Sequence, residues 1–241
     1  MNKDFIKNNQ SGITIFISVL VLASVIILAL AISDLVLRTS RSSKKIGLSE
    51  VAYYAAESSI EKALYQIEKN RTISGLSSSG NLSEITAATW DRTVSLITSY
   101  ATDCDTLGSN EGICVETAGT INSSNTLHAK LDAGSSFQLD LDFTGMALPN
   151  NLQVSWSGSG KVVAYGSGGQ LTDNNSPTNL NDLDANLYVF RIDNEDTSLI
   201  DFEIAPSSGA DLPIGFNLTA TGDYQDQQRV IETIRNNWQI Y

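Results

Sequence analysis

One histidine, His128, stands alone in a chain of 241 residues that holds two cysteines, Cys104 and Cys114. A serine-type triad would have to rest on that imidazole. No GxSxG elbow occurs, and His128 sits beside Leu127 in a strand-like run, which gives it a surface or hydrogen-bonded structural role. The stretch WSGSGK at residues 156 to 161 offers glycines and a lysine to a phosphate. A phosphate loop would need Gly where Ser155 stands and Ser or Thr where Val162 stands, so the pattern fails. Asp182, Asp184, Asn186 and Asp193 mimic part of a calcium loop, but Leu187 takes the position that requires Gly and LYVF reads as strand, which excludes an EF-hand. Oxygen ligands remain dense in DNNSPTNLNDLD and DNED. Solvated turns use the same residues, so calcium, on Asp182, Asp184 and Asp193, is the one cofactor these loops leave open. No catalytic residue is read, and the chain is expected not to be an enzyme.

The cysteines enclose nine residues, DTLGSNEGI, whose Gly108, Asn110 and Gly112 can turn the chain back so that the sulfurs meet. A Cys104–Cys114 disulfide is expected. Closing so small a loop is worth roughly 2.8 kcal/mol in the chain-entropy model, less any strain. The pair suits an oxidising exterior, whereas zinc would need two further ligands that His128 alone does not supply.

Charge is unevenly placed. Of 15 Lys/Arg and 27 Asp/Glu, residues 1 to 71 hold 9 and 6, leaving 6 against 21 for the rest. That bulk, about 15 charges negative, repels phosphate backbones and argues against nucleic acid as a partner of this part.

The elements that carry these residues begin with an apolar run. Ile13 to Ile32 is 20 residues without a charge, broken only by Thr14, Ser18 and Ser24, and a helix of that length matches the ~30 Å hydrocarbon core of a bilayer. A secretory signal has a shorter apolar region and a small-x-small cut site, which Ala29-Leu30-Ala31 provides. Three readings therefore stand side by side: a discarded signal, an uncut single-pass anchor, or a helix retained after a cut in front of it. No proline occurs before Pro149, and residues 33 to 69 favour helix. Tyr53, Ala56, Ile60, Ala63, Leu64 and Ile67 recur at spacings of three and four, so the spanning half flows into an amphipathic half. Ile13 to Lys69 would form a rod of roughly 85 Å, with Gly47 its weakest interior point.

A spanning segment joined to an amphipathic helix, behind the basic leader MNKDFIKNNQSG, resembles a type IV pilin. In that family a prepilin peptidase cuts after the Gly, here between Gly12 and Ile13, and the new amino terminus is methylated. VAYYAAESSIEKAL, residues 51 to 64, is similar to the helix beyond the membrane segment in PilX-like minor pilins and K-type pseudopilins. The resemblance covers residues 1 to 70. Major pilins usually carry Phe as the first mature residue and Glu as the fifth, whereas Ile13 and Ile17 stand here. That Glu is thought to pair with a neighbour's amino terminus; Ile17 does not, which fits a subunit at or near the filament tip.

The resemblance implies other pilin subunits, the peptidase, an assembly platform and, before assembly, membrane lipid as partners. It implies the cytoplasmic membrane, then an extracellular pilus, as location. A pseudopilin of a secretion system carries the same signals. From another class, a secreted binding or adhesive domain released after Ala31 is the alternative. The cluster Arg38, Arg41, Lys44 and Lys45 outnumbers Lys3 and Lys7, which by charge counting would hold the head inside; long domains cross largely regardless of charge.

The remainder reads as a β-rich head. FQLDLDF, residues 137 to 143, alternates apolar and polar residues, and LHAKL, LQVSW, KVVAY, NLYVFRI and LIDFEIA are short, β-forming and separated by turn residues. GFNLTAT is expected to pair with QRVIETIR across GDYQDQ, although the latter, like residues 83 to 101, also carries a helical stripe. The expected fold is α+β: leader 1 to 12, helix 13 to 70, linker 71 to 82 with SSSGNLS at 77 to 83 as the boundary loop, and a mainly antiparallel head 83 to 241.

Overall fold

The structure is a computed structural model that describes residues 4–70, 73, 75–143, 146–166, 169–181, 188–207 and 210–241. It is an α+β fold: one long N-terminal helix followed by mainly antiparallel strands. In chain order these are helix α1 (Asp4–Asn70), then β1 (Ser78–Asn81), β2 (Thr89–Ile97), β3 (Ser99–Tyr100), the one-turn helix α2 (Cys104–Leu107), β4 (Gly112–Val115) and β5 (Gly119–Thr120). Next come β6 (Leu127–Leu131), β7 (Ser136–Leu141), β8 (Leu152–Ser155), β9 (Gly160–Gly166), β10 (Gly169–Asp173) and β11 (Thr178–Leu180). The last are β12 (Tyr188–Asn194), β13 (Ile200–Pro206), β14 (Gly215–Tyr224), β15 (Gln227–Asn236) and β16 (Trp238–Ile240). The chain divides into two compact units, Met1–Val51 and Ala52–Tyr241.

In the second unit, two five-stranded sheets, ordered β10-β9-β12-β7-β16 and β11-β8-β13-β6-β4, close on one core. Alternation decides which side chains enter it. On β7, Phe137, Leu139 and Leu141 point inward and are fully buried, while Gln138 and Asp140 take the other face. On β13, Ile200, Phe202 and Ile204 do the same opposite β6.

A third sheet, β1-β2-β14-β15, receives the C-terminal part of α1. Ala56, Ile60 and Ala63 pack on Phe216, Leu218 and Ala220, and Ala52, Ala55 and Ser59 are also fully buried. Of the stripe read in the sequence, Ala56, Ile60, Ala63, Leu64 and Ile67 pack here, whereas Tyr53 is 43 % exposed and Ala52 takes the buried place. The reason lies at Gly222 of β14, where an added Cβ would sit 1.9 Å from the Ala52 carbonyl oxygen and 2.7 Å from the Ala56 nitrogen. Helix backbone rests directly on strand backbone there, so only the smallest side chains face the sheet.

Both ambiguous segments are strands. Residues 89 to 97 pair with β14, and β14 and β15 form a ten-pair hairpin closed by Gln225 and Asp226 alone. On β15 a helical stripe would bury Val230 and Ile234; they are 60 % and 65 % exposed, while Ile231 packs toward α1. Ser78–Asn81, read from the sequence as part of a boundary loop, is an edge strand on β2, with Gly80 opposite Trp90. Polar composition hid it, because β1 draws its order from ladder hydrogen bonds rather than apolar burial.

Candidate functional site

In the first unit α1 is uncharged from residue 13 to residue 32, and every side chain in that span is exposed. Ile13, Ile15, Phe16, Ile17, Val19 and Leu20 are 55 % to 68 % exposed, and successive residues lie about 100° apart around the axis, so no face is polar. A helix apolar on all sides belongs in a membrane or among other apolar helices. Both of its serine hydroxyls are satisfied within the helix. Ser18 Oγ donates to the Thr14 carbonyl at 2.8 Å, and Ser24 Oγ reaches the Leu20 and Val21 carbonyls at 3.0 and 2.8 Å. The segment therefore asks nothing of water or of a polar partner. Charge resumes at Asp34, which pairs with Arg38 at 2.8 Å one turn on.

Gly12 and Ile13 are consecutive residues of α1, whose helical backbone begins earlier, at Asp4. Ile17 lies one turn beyond Ile13 and is 55 % exposed, an apolar side chain where the resemblance places a carboxylate.

In the second unit one residue the sequence reading passed over helps to tie α1 to the sheet. Arg92 is 3 % exposed; its Nε donates to the Leu76 carbonyl at 2.6 Å and its Nη1 to the Ser59 carbonyl at 2.5 Å. Its guanidinium also lies 5.4 Å from the Trp90 ring centre, with the Lys62 ammonium 5.8 Å from the same ring. Burial lowers the Arg92 pKa. The signal was in the alternation: Arg92 shares its face of β2 with Trp90 and Val94, so a strand reading of 89 to 97 sends it toward the helix.

Cys104 and Cys114 are joined, with sulfurs 2.13 Å and Cα atoms 4.9 Å apart. Just before Cys104, Asp103 caps α2 by accepting from the Thr106 N–H at 2.6 Å; hydrogen bonds from the Thr106 side chain and then from its backbone lower the Asp103 pKa, and between the cysteines Gly108 turns the chain at φ 64°. His128 lies opposite Cys114 on the next strand. Its Nδ1 is 3.0 Å from Asp201 Oδ1 and its Nε2 is 3.0 Å from Thr126 Oγ1. The Asp201 hydrogen bond raises the His128 pKa, burial opposes it, and the charges of Asp201, Glu203 and Glu116 add to the rise. Thr126, His128 and Asp201 thus line up as hydroxyl, imidazole and carboxylate, and the imidazole is spent as a bridge between β6 and β13.

Asp182 and Asp184 lie outside the described residues. Asp193 Oδ1 accepts from Ser136 Oγ at 2.6 Å and from Arg191 Nε at 2.7 Å. In DNED, Asn194 is buried and donates to three carbonyls, and Asp196 accepts the Thr197 and Ser159 amides, which lowers its pKa. Among the described residues no three His, Cys, Asp or Glu side chains converge in a metal-binding arrangement.

A span-length apolar helix segment, continued by an alanine-surfaced segment packed on a β head, is a pilin-like architecture. No family model matches the chain, and no curated protein matches it.

Proposed function

We propose that the chain is a type IV pilin-like structural subunit, a minor pilin at or near the filament tip. In this reading a prepilin peptidase cuts between Gly12 and Ile13, and the subunit enters the filament through α1. The observation that carries the reading is the all-round apolar exposure of residues 13 to 32 in the same helix as the Ala52–Ala63 docking stripe. Such a segment exchanges lipid contacts for those of neighbouring helices with no backbone or hydroxyl group left wanting.

Ile17 supports the position near the tip. A carboxylate there would have to be neutralised inside an apolar core, since a buried unpaired charge costs several kcal/mol. The subunit that starts a filament has none above it to supply the charge. Other pilin subunits, the assembly platform and membrane lipid are the partners, the head lies outside the cell, and no covalent chemistry is asked of the chain. A pseudopilin of a secretion system would use the same parts.

The test is the amino-terminal peptide of the protein isolated from its native cells, identified by mass spectrometry. A peptide starting at methylated Ile13 is expected. One starting at Ile32 would replace the proposal with a secreted binding domain, and an intact Met1 would leave an uncut anchor.

A further inference from the structure

Past its apolar span, α1 carries four cations and no acid between Leu35 and Ser49: Arg38, Arg41, Lys44 and Lys45. All of them are exposed. At about 100° per residue they fall within an arc of about 120°, while Thr39, Ser42, Ser43 and Ile46 occupy the other side of the helix. We infer that this arc is a binding site for the headgroup of an anionic phospholipid. The inference rests on α1 crossing a bilayer and is independent of cleavage after Gly12.

Position makes a bilayer component the occupant. Apolar surface resumes at Leu35, Val36 and Leu37, which are 64 %, 59 % and 54 % exposed, so Arg38 follows directly on it. From Arg38 to Lys45 the helix rises about 10 Å, and the headgroup layer on each side of the hydrocarbon is about 5–7 Å thick. The aliphatic stems of Lys44 and Lys45 let their ammonium groups reach back into that layer. A phosphate held there by its own acyl chains is already concentrated beside the arc, so its capture costs little translational freedom.

Charge selects the class of lipid. Arg38 holds Asp34 at 2.8 Å, whereas Arg41, Lys44 and Lys45 have no ion pair among the described residues. The next acid, Glu50, lies about 120° or more around the helix from Lys44 and Lys45, so it does not neutralise them. Arg38, Arg41 and Lys45, at spacings of three and four, are surface neighbours whose long side chains can converge on one phosphate. A phosphocholine headgroup offers the same phosphate, but its trimethylammonium would meet the remaining cations of the arc and be repelled. A headgroup of net negative charge meets no such opposition.

The experiment is native mass spectrometry of the full chain released from nanodiscs of equal phosphatidylglycerol and phosphatidylcholine with matched acyl chains. In the one-lipid adduct, phosphatidylglycerol is expected to exceed phosphatidylcholine at least about fivefold, which is ~1 kcal/mol. The triple variant Arg41→Gln, Lys44→Gln, Lys45→Gln should bring the excess below about twofold. A second variant, Arg41→Ser, Ser43→Arg, Lys45→Ile, Ile46→Lys, keeps composition and net charge but scatters the cations around the axis, and it too should lose most of the excess while remaining helical by circular dichroism. The inference is overturned if the parent retains both lipids alike, or if the scattered variant matches the parent, which would show net charge acting without a site. It is also overturned if carbodiimide joins Lys44 or Lys45 to a carboxylate of a second copy with phosphatidylglycerol present, since an acidic protein surface would then be the occupant. Failure of the parent to enter discs of either lipid would overturn the membrane-spanning reading and this inference together, an outcome distinct from entry without lipid preference.

Discussion

Gly222→Ala should detach the docked part of α1 from its sheet. The added Cβ would stand 1.9 Å from the Ala52 carbonyl oxygen, where a contact of about 3.2 Å is the closest that packing tolerates. Helix and strand must separate by roughly 1.3 Å, because the obstructing atoms are backbone and no rotamer relieves them. A gap of that size forfeits at least a quarter to a half of the dispersion energy at the contact between Ala56, Ile60 and Ala63 and Phe216, Leu218 and Ala220. The expected cost is about 3 kcal/mol, at the top of the range for overpacking, or about 6–12 °C in Tm for a domain of this size. Near-ultraviolet circular dichroism in nanodiscs reads it, since Trp90 sits at the junction beside Lys62 and Arg92. Two companions sharpen the test. Ala52→Gly should fail to rescue Gly222→Ala, because the clash is with a backbone oxygen, and Gly47→Ala should stabilise α1 by up to about 1 kcal/mol, since no atom lies within 4 Å of its new Cβ. A melt of Gly222→Ala within about 2 °C of the parent, or rescue by Ala52→Gly, would refute backbone-on-backbone docking.

Two further outcomes follow from buried polar groups. Ser59 is fully buried in α1 and its Oγ has no partner among the described residues, so Ser59→Ala is expected to raise stability by about 1 kcal/mol, measured as a higher denaturant midpoint at unchanged m-value; a lower midpoint would mean the hydroxyl is satisfied in solution. His128 has a folded pKa raised chiefly by the Asp201 hydrogen bond, so the protonated pair stabilises the head fully below the unfolded value of about 6.5, and that stabilisation is lost as pH rises through the raised folded value. His128→Asn should accordingly cost more stability at about pH 5 than at about pH 8, and an equal cost at both would show that the bridge does not depend on the charge.

Much of the architecture was legible in residue order, because its signals are local. The absence of charge from Ile13 to Ile32, the absence of proline before Pro149 and the period-two alternation of FQLDLDF each act through neighbours in the chain. The cysteine spacing belongs with them, since nine residues with two glycines close on themselves without help from the rest of the fold. Where two periods fitted one segment, as at residues 83 to 101 and 228 to 235, local signals could not choose. Strand won because β2 and β15 both had β14 to pair with, and that partner lies more than a hundred residues from β2.

What only the tertiary structure decided depends on atoms distant in sequence. That Ala52 rather than Tyr53 enters the buried stripe on α1 depends on Gly222, a residue that carries no helical signal and acts by what it lacks. Arg92 reads as an ordinary surface cation until the Ser59 and Leu76 carbonyls close on it. Thr126 and His128 are two residues apart in the chain, but Asp201 reaches the imidazole from another strand. Sequence by itself determined the anchor-like segment, the class of fold and the disulfide, through short-range periodicity and composition. Tertiary structure determined which faces meet and which polar groups are left open, because close packing and hydrogen-bond satisfaction are properties of the assembled surfaces.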